Sequence, residues 1–281
     1  MGIDKISHYI KVAQQIEKQS NCKIYIVGGF VRDRLLKLNS VDLDFVVEGT
    51  GIEVANNFHK KLDGKLTIYK KFLTASLKLK NGFVIDIATA RTEKYPKPAS
   101  MPLVQPASLK EDLLRRDFTI NALATPLPTS DFRLPKIIDI CSGLEDLKKK
   151  QIRVLHKNSF RDDPTRILRA IRYANRLNFK IEKNTEKWLN TAVKKNLLAL
   201  VSAPRVRDEF LKTLEEKNAK EILSEFKNQK VLKYIDSKLN ISAISENKEH
   251  VKTRIKKLLS NYTKQQKIAF LKKFCLPKAR N

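Results

Sequence analysis

The feature that most restricts the fold is a change of hydrophobic period along the chain. Residues 23–27, 41–47, 66–69, 73–79 and 83–88 are short runs rich in β-branched residues, the signature of strands. Beyond about residue 155 every periodic stretch instead repeats at three- and four-residue steps, as helices do. Ile3, Ile6, Ile10, Ala13 and Ile16 place one amphipathic helix ahead of the strands, and residues 31–38 and 52–62 interleave two more. A sheet with its helices, followed by helices alone, is an α+β chain with a small mixed-sheet head and a helical remainder. Its 281 residues can bury a core without disulfide or metal staples.

Residues 91–107 hold four of the ten prolines and no period, so they read as a mobile loop leading to a helical pattern over 111–124. Weak strands over 136–140 and 152–155 are expected to close the head. The resulting division is a head over 1–147, a helical segment over 148–215 and a basic helical end over 216–281. Charge is distributed unevenly across it. Residues 1–147 carry 22 basic and 17 acidic side chains, whereas residues 148–281 carry 35 and 13. A helical half so cationic points to a polyanionic partner, because Lys and Arg release counterions from phosphates. Residues 251–281, with ten basic and no acidic side chains, read either as a phosphate-facing surface or as a solvated tail. No apolar stretch is long enough to span a bilayer, and Met1 is followed by Asp4 and Lys5 rather than by a signal core, so a soluble, cytoplasmic protein with no membrane partner is expected. Cys22, Cys141 and Cys275 lie far apart and the four histidines are scattered, which predicts reduced thiols and no zinc.

Three carboxylates stand out. Asp42 and Asp44 are two apart in a strand-forming run, so both project from one sheet face. Two anions that close repel unless a cation lies between them, and hard oxygen ligands suit Mg²⁺ bound jointly with substrate phosphates. Asp86 interrupts the apolar run Val84-Ile85-Asp86-Ile87, where burial of an unpaired charge would be costly. Together they read as a two-metal site for a hydroxyl nucleophile and a pyrophosphate leaving group. The plainer reading of Asp-x-Asp is a solvated strand end. Upstream, residues 24–33 form a strand, the pair Gly28-Gly29 and a helix start, where backbone N–H groups and the forked donor Arg32 could approach phosphate. Here the plainer reading is a tight turn with Arg32 and Asp33 as a surface pair.

Taken together, Gly28-Gly29-x-Val31-Arg32-Asp33 and Asp42-x-Asp44 resemble the active-site signature of the polymerase β nucleotidyltransferase superfamily, specifically class II tRNA nucleotidyltransferases and bacterial poly(A) polymerases. Arg115-Arg116-Asp117-Phe118-Thr119-Ile120-Asn121-Ala122 resembles that family's second signature, and Asp162-Asp163-Pro164-Thr165-Arg166-Ile167-Leu168-Arg169-Ala170-Ile171-Arg172 its third. The resemblance covers about residues 20–215 and implies a nucleotidyltransferase head, an all-α neck and a shortened body, with about 65 residues after the neck. It also implies the roles. Asp42 and Asp44 would hold the ions, Asp86 would take the proton of an RNA 3′ hydroxyl, and CTP or ATP would lose pyrophosphate. Gly28, Gly29 and Arg32 would cradle the triphosphate, and Arg116 would contact ribose or phosphates. Asp162 departs from the family's usual Glu, which affects the contacts around Asp163 rather than the base contact.

Asp163 followed by Pro164 is a good helix start, and Arg166, Arg169 and Arg172 follow at three-residue steps on one stripe, opposite Ile167, Leu168, Ile171 and Ala174. Cytosine and adenine both present an amino donor beside a ring-nitrogen acceptor, and uracil and guanine reverse that order. A carboxylate beside a guanidinium therefore accepts C and A, the role the resemblance assigns to Asp163 and Arg166, with Arg169 and Arg172 lining the site. Residues 202–209 resemble the neck helix, and Lys252, Arg254, Lys256, Lys257, Lys272 and Lys273 are expected to contact tRNA phosphates. The leading expectation is template-independent addition of CCA, or part of it, to tRNA 3′ ends. The alternatives are a poly(A) polymerase, a catalytically idle RNA-binding protein, and a small-molecule nucleotidyltransferase, the last lacking a reason for so basic a helical half.

Overall fold

Strand alternation appears in the three-dimensional structure as burial on one side at a time. The structure is a computed structural model that describes residues 3–38, 42–128, 136–245 and 249–274. Its chain separates into two compact units, one of Met1–Lys94, Pro102–Lys149 and Arg153–Leu155, the other of Tyr95–Met101, Lys150–Ile152 and His156–Asn281.

The first unit contains strands β1 (Lys23–Val27), β2 (Asp42–Glu48), β3 (Gly64–Tyr69), β4 (Thr74–Leu79), β5 (Val84–Thr89), β6 (Arg91–Lys94), β7 (Leu103–Pro106), β8 (Leu123–Pro126) and β9 (Ile138–Asp139), with helices α1 (Ile3–Gln19), α2 (Gly29–Leu35), α3 (Gly51–Lys61), α4 (Leu109–Leu114) and α5 (Gly143–Lys148). Seven strands make one mixed sheet in the order β3-β4-β5-β2-β1-β8-β9, in which only β2 and β5 run parallel. Leu43, Phe45 and Val47 of β2, Ile85 and Ile87 of β5, and Ala75, Leu77 and Leu79 of β4 are all buried. They form the face against which α3 packs, with Phe58 stacked on Phe45 at 5.4 Å between ring centroids and α1 lying on α3. One end of the second face is covered where Leu109 and Leu113 of α4 meet Val27, Val46, Ala90 and Ala124. Its other end carries the aspartates.

Three elements differ from the sequence expectation. The proline-rich segment is not a bare loop, because β6 and β7 pair antiparallel from Arg91–Pro106 to Lys94–Leu103, leaving Pro96, Pro98 and Pro102 outside the ladder. The helix expected over 111–124 stops at Leu114, and Leu123–Pro126 joins the sheet beside β1. Ala122, Leu123, Ala124 and Thr125 are fully buried there, and that tertiary demand overrides helix propensity. Of the strand expected over 152–155, Val154 joins the head through an isolated antiparallel bridge to Phe118, but the short strand β10 (Gln151–Ile152) does not. It pairs in parallel with β11 (Lys180–Ile181) in the second unit.

That unit is otherwise built from α6 (Ser159–Asp162), α7 (Thr165–Leu177), α8 (Lys183–Lys194), α9 (Ala203–Glu215), α10 (Ala219–Asn228), α11 (Val251–Leu258) and α12 (Lys264–Lys273). Its core comprises Ile167, Leu168, Ile171, Val206, Phe210, Leu214, Ile222 and Phe226, and a ring cluster in which Phe270 lies 5.0 Å from Phe274 and 6.3 Å from Phe210. Among the described residues no helix is long and apolar enough to cross a membrane.

Arg254, expected to face RNA, is 0% exposed. Its Nη1 donates to the carbonyls of Leu214 (2.7 Å) and Glu216 (2.5 Å), so it ties α11 to the end of α9. Arg254→Met would leave those buried carbonyls unsatisfied, at a cost of about 2–4 kcal/mol of stability. Urea unfolding is expected to show the lowered midpoint.

Candidate active site

The two aspartates of β2 sit at alternate positions on the open end of the sheet, and the parallel register of β2 with β5 puts Asp44 directly beside Asp86. Neighbouring strands lie about 4.8 Å apart, so the carboxylates must share one small volume. Asp42 and Asp86 are exposed and Asp44 is half-buried. The expectation that Asp86 sits among apolar neighbours is corrected here. Ile85 and Ile87 turn into the core, while Asp86, between them, turns out to solvent. What distinguishes it is its place beside Asp44. Burial first, then the negative charges of Asp86 and Asp42, push the Asp44 carboxyl up to about 7, against the opposing pull of Arg116 and Arg32.

The turn between β1 and α2 closes on the same point. Gly28 has φ +68° and ψ −129°, a conformation in which a side chain is strained. A Cβ there would lie 3.1 Å from Arg116 Nη1 and 3.6 Å from Asp44 Oδ2. The backbone thus passes close to both because position 28 carries no side chain. Gly29 opens α2, and a Cβ on it would approach Arg32 Nη2 at 3.5 Å. Arg32 departs from its expected grip on phosphate. It is 2% exposed, pairs with Asp33 at 2.7 Å, and donates through Nη1 to Asn121 Oδ1 at 2.5 Å. It braces the glycine turn against the second signature, and its pairing with Asp33 is buried rather than on the surface.

Arg116 is held by a residue the sequence reading missed. Asp112 is 0% exposed and takes Arg115 on one oxygen (Nη2 at 2.5 Å) and Arg116 on the other (Nη2 at 2.9 Å). Burial alone would raise its pKa, but Arg116 and Arg115 together hold it below the usual carboxylate range. Arg115 also bonds Glu93 at 2.7 Å, and Arg116 Nη1 reaches the Asn121 carbonyl at 3.4 Å. The signal was present in the sequence: Asp112 is three and four residues before the two arginines on a short helix.

The third signature lies in the second unit. Asp163 has extended backbone (φ −133°, ψ 95°) and its Oδ1 accepts from the Thr165 amide at 3.0 Å, so it caps α7 with Pro164 in the first turn. The same oxygen accepts from Thr165 Oγ1 (2.6 Å) and from Arg205 Nη2 (2.7 Å). The arginine stripe is not a solvated face. Arg166 and Arg172 are buried, Arg166 donating to Ser159 Oγ at 2.6 Å and Arg172 pairing with Glu209 at 3.0 Å and Glu216 at 3.2 Å. Arg169 is half-buried, 3.8 Å from Glu209. Arg205, Glu209 and Glu216, which organise these groups, carry no local pattern that would single them out. Of the expected tail cations, Lys252, Lys256 and Lys272 are exposed, Lys257 pairs with Glu249, and Lys273 donates to the Ile235 carbonyl at 3.0 Å and lies 4.8 Å over the Phe274 ring. Among the described residues no group of three or more His, Cys, Asp or Glu side chains forms a finished metal cage.

Residues 24–153 match the poly A polymerase head domain, and residues 178–239 match the family described as the probable RNA and SrmB-binding site of polymerase A. A solved CCA-adding enzyme in an apo form superposes with a TM-score of 0.75 at 38% identity, covering 98% of this chain and 68% of that one. The chain belongs to the tRNA nucleotidyltransferase and poly(A) polymerase family. The A-adding tRNA nucleotidyltransferase of Aquifex aeolicus is 48% identical over 215 residues, which are 76% of this chain and 26% of that protein. The Thermotoga maritima CCA-adding enzyme, solved in complex with tRNA, is 38% identical with a TM-score of 0.73 and is covered over 67% of its length. The chain spans about a quarter to a half of the length of the first curated relatives.

The Asp44 carboxyl, raised to about 7 in the fold, is protonated more readily there than in the unfolded chain. Its ionisation therefore weakens the folded state progressively as pH rises from about 4 to about 7, and the penalty is complete above that. In chelating buffer, Asp44→Asn should leave stability unchanged near pH 4 and raise it by about 1–2 kcal/mol at pH 8. Thermal unfolding at the two pH values tests this.

Proposed function

We propose that this chain extends the 3′ end of tRNA without a template, adding CCA or its last part from CTP and ATP. The observation that carries the reading is the register of Asp44 beside Asp86 on the open face, with Asp42 two residues away and Gly28 and Arg116 at the same point. Three carboxylates gathered at one point, with Asp44 raised first by burial and then by the charges of Asp86 and Asp42, suit a hard divalent cation, and Asp42 and Asp44 are the residues that would hold Mg²⁺. When bound, such ions neutralise the charge that develops on the transferring phosphoryl group and its leaving pyrophosphate.

The protein's own groups divide the remaining work. Asp86, exposed beside Asp44, takes the proton of the RNA 3′ hydroxyl as the O3′–Pα bond forms and the bond from Pα to the bridging oxygen breaks. Arg116, fixed by Asp112, presents positive charge beside the glycine turn, where ribose or phosphates would lie. Gly28 and Gly29 let the nucleotide approach the backbone, and Arg32 keeps that turn in shape. Asp163 keeps one oxygen occupied by Thr165 and Arg205, leaving the other for the amino group of C or A, with Arg166 as donor to the ring nitrogen. Arg169 and Arg172 support that pair, and the exposed Lys252, Lys256 and Lys272 offer contacts to tRNA phosphates.

Relatives from Aquifex aeolicus and Geobacter sulfurreducens, 48% and 36% identical, are both A-adding enzymes, which favours the terminal A as the nucleotide added. The test uses tRNA transcripts ending before the first C, the second C or the terminal A, supplied with single labelled nucleotides, followed by sequencing of the product ends. Incorporation confined to the last transcript with ATP is the expected result, ordered C, C, A addition would assign the full activity, and long A tails would point to poly(A) synthesis. Asp42→Ala or Asp44→Ala should cut incorporation by about 10³-fold or more with little change in tRNA affinity. No extension by the unsubstituted protein would refute the reading.

A further inference from the structure

The open end of the sheet does not stop at the carboxylates. Register carries a line of polar side chains across four strands, Asp44 beside Asp86, Asp86 beside Ser76 of β4, and Ser76 beside Thr67 of β3. One pleat along, Lys78 is opposite Lys65 and next to Val84, which is paired with Asp42. At about 4.8 Å per strand the line runs about 14 Å, from Asp44 to the edge of the sheet. All of these side chains share a side, because Ala75, Leu77 and Leu79 turn into the core between them. Thr67, Lys65 and Lys78 are exposed and Ser76 is half-buried. The apolar cover supplied by α4 belongs to the other end of this face, around Val46 and Ala88.

This shelf has a chemical bias. Like charges directly opposite each other on antiparallel strands destabilise the pair, and among the described residues neither Lys65 nor Lys78 forms an ion pair. Two cations and two hydroxyls in adjacent rows suit a sugar–phosphate backbone, with ammonium groups for phosphates and hydroxyls for ribose or phosphate oxygens. Strand order decides which phosphates. β1 and its glycine turn flank β2 on one side, and β5, β4 and β3 flank it on the other. The triphosphate reading belongs to the Gly28 and Arg116 side, so the shelf falls to the strand that brings the hydroxyl.

We propose that Thr67 and Ser76, with Lys65 and Lys78, seat the sugar–phosphate backbone of the last nucleotides of the acceptor RNA strand and deliver its 3′ hydroxyl to Asp86. The inference rests on the reading of Asp42, Asp44 and Asp86 given above, and its test separates the two. The full chain and its Lys65→Glu/Lys78→Glu variant are compared for binding of fluorescently labelled tRNA lacking its terminal A, over a range of salt, and for the KM of ATP at saturating tRNA. Folding of the variant is checked by circular dichroism, and Lys65→Arg/Lys78→Arg serves as the charge-preserving control. The expected result is tRNA affinity at least tenfold weaker, a salt dependence shallower by about 1.4 in the log–log slope for two lost single-strand phosphate contacts, an unchanged KM for ATP, and near-normal binding by the arginine variant. Unchanged tRNA affinity and slope would overturn the proposal. A raised KM for ATP with tRNA affinity intact would also overturn it, assigning the shelf to the triphosphate. If the unsubstituted chain binds tRNA without extending it and charge reversal still weakens binding, the shelf stands and the catalytic reading falls.

Discussion

The parallel pairing of β2 with β5 is the constraint on which the head depends. Every other contact in the seven-stranded sheet is antiparallel, and this one register forces two carboxylates side by side with a third two residues away. No arrangement of this kind stabilises a fold by itself. The raised pKa of Asp44 expresses the cost, and the surrounding residues offset part of it. Arg116 and Arg32 are the two cations that lower it, and each is fixed by another acid, Arg116 by Asp112 and Arg32 by Asp33. Charges of both signs therefore alternate outward from the site, and the strain is concentrated where chemistry needs it.

That alternation explains why Asp112 matters although it is fully buried. A fully buried carboxylate that satisfies two neighbouring guanidiniums fixes both in space, and one of them, Arg116, ends 3.1 Å from where a Gly28 Cβ would be. The glycine and the buried acid answer one geometric demand from opposite sides. Gly28 makes room, and Asp112 prevents the arginine from filling that room at random. A positively charged side chain held rigid before its anionic ligand arrives needs little reorganisation on binding.

Much of this was legible in the sequence. Strands β1 to β5 and helices α1 to α3 follow from period, the two-residue spacing of Asp42 and Asp44 puts them on one face, and the structure brings Asp86, Gly28 and Arg116, which the family resemblance pointed to, close to Asp44. What was not legible depends on partners distant in sequence. Asp86 reads as buried because Ile85 and Ile87 flank it, but the two isoleucines are drawn into the core under α3, and the alternation of β5 then turns Asp86 outward. The helix expected through residue 124 ends early because β1 needs a partner, a demand invisible in residues 111–124. Counting charges also misplaced some of them. Arg254 and Arg172 belong to the basic half, yet one satisfies backbone carbonyls and the other pairs with Glu209 and Glu216. Composition records how many cations there are, and only the fold shows which of them have already been used.

The same distinction bears on how a basic protein selects among polyanions. A guanidinium engaged by two glutamates contributes little to the long-range field, whereas exposed ammonium groups such as Lys65, Lys78, Lys252, Lys256 and Lys272 contribute most of what a phosphate backbone meets. In the second unit Arg172 and Arg205 serve geometry, holding α7 against α9 and fixing Asp163 at the start of its helix, while Lys252, Lys256 and Lys272 stay on the surface. Arginine suits the first task because its planar fork fixes direction, and lysine suits the second because a mobile point charge accepts phosphates without prescribing their spacing. Under the proposed reading, one nucleotide is held in a fixed pose while the RNA strand shifts after each addition, and that gives reason to keep the two kinds of cation apart.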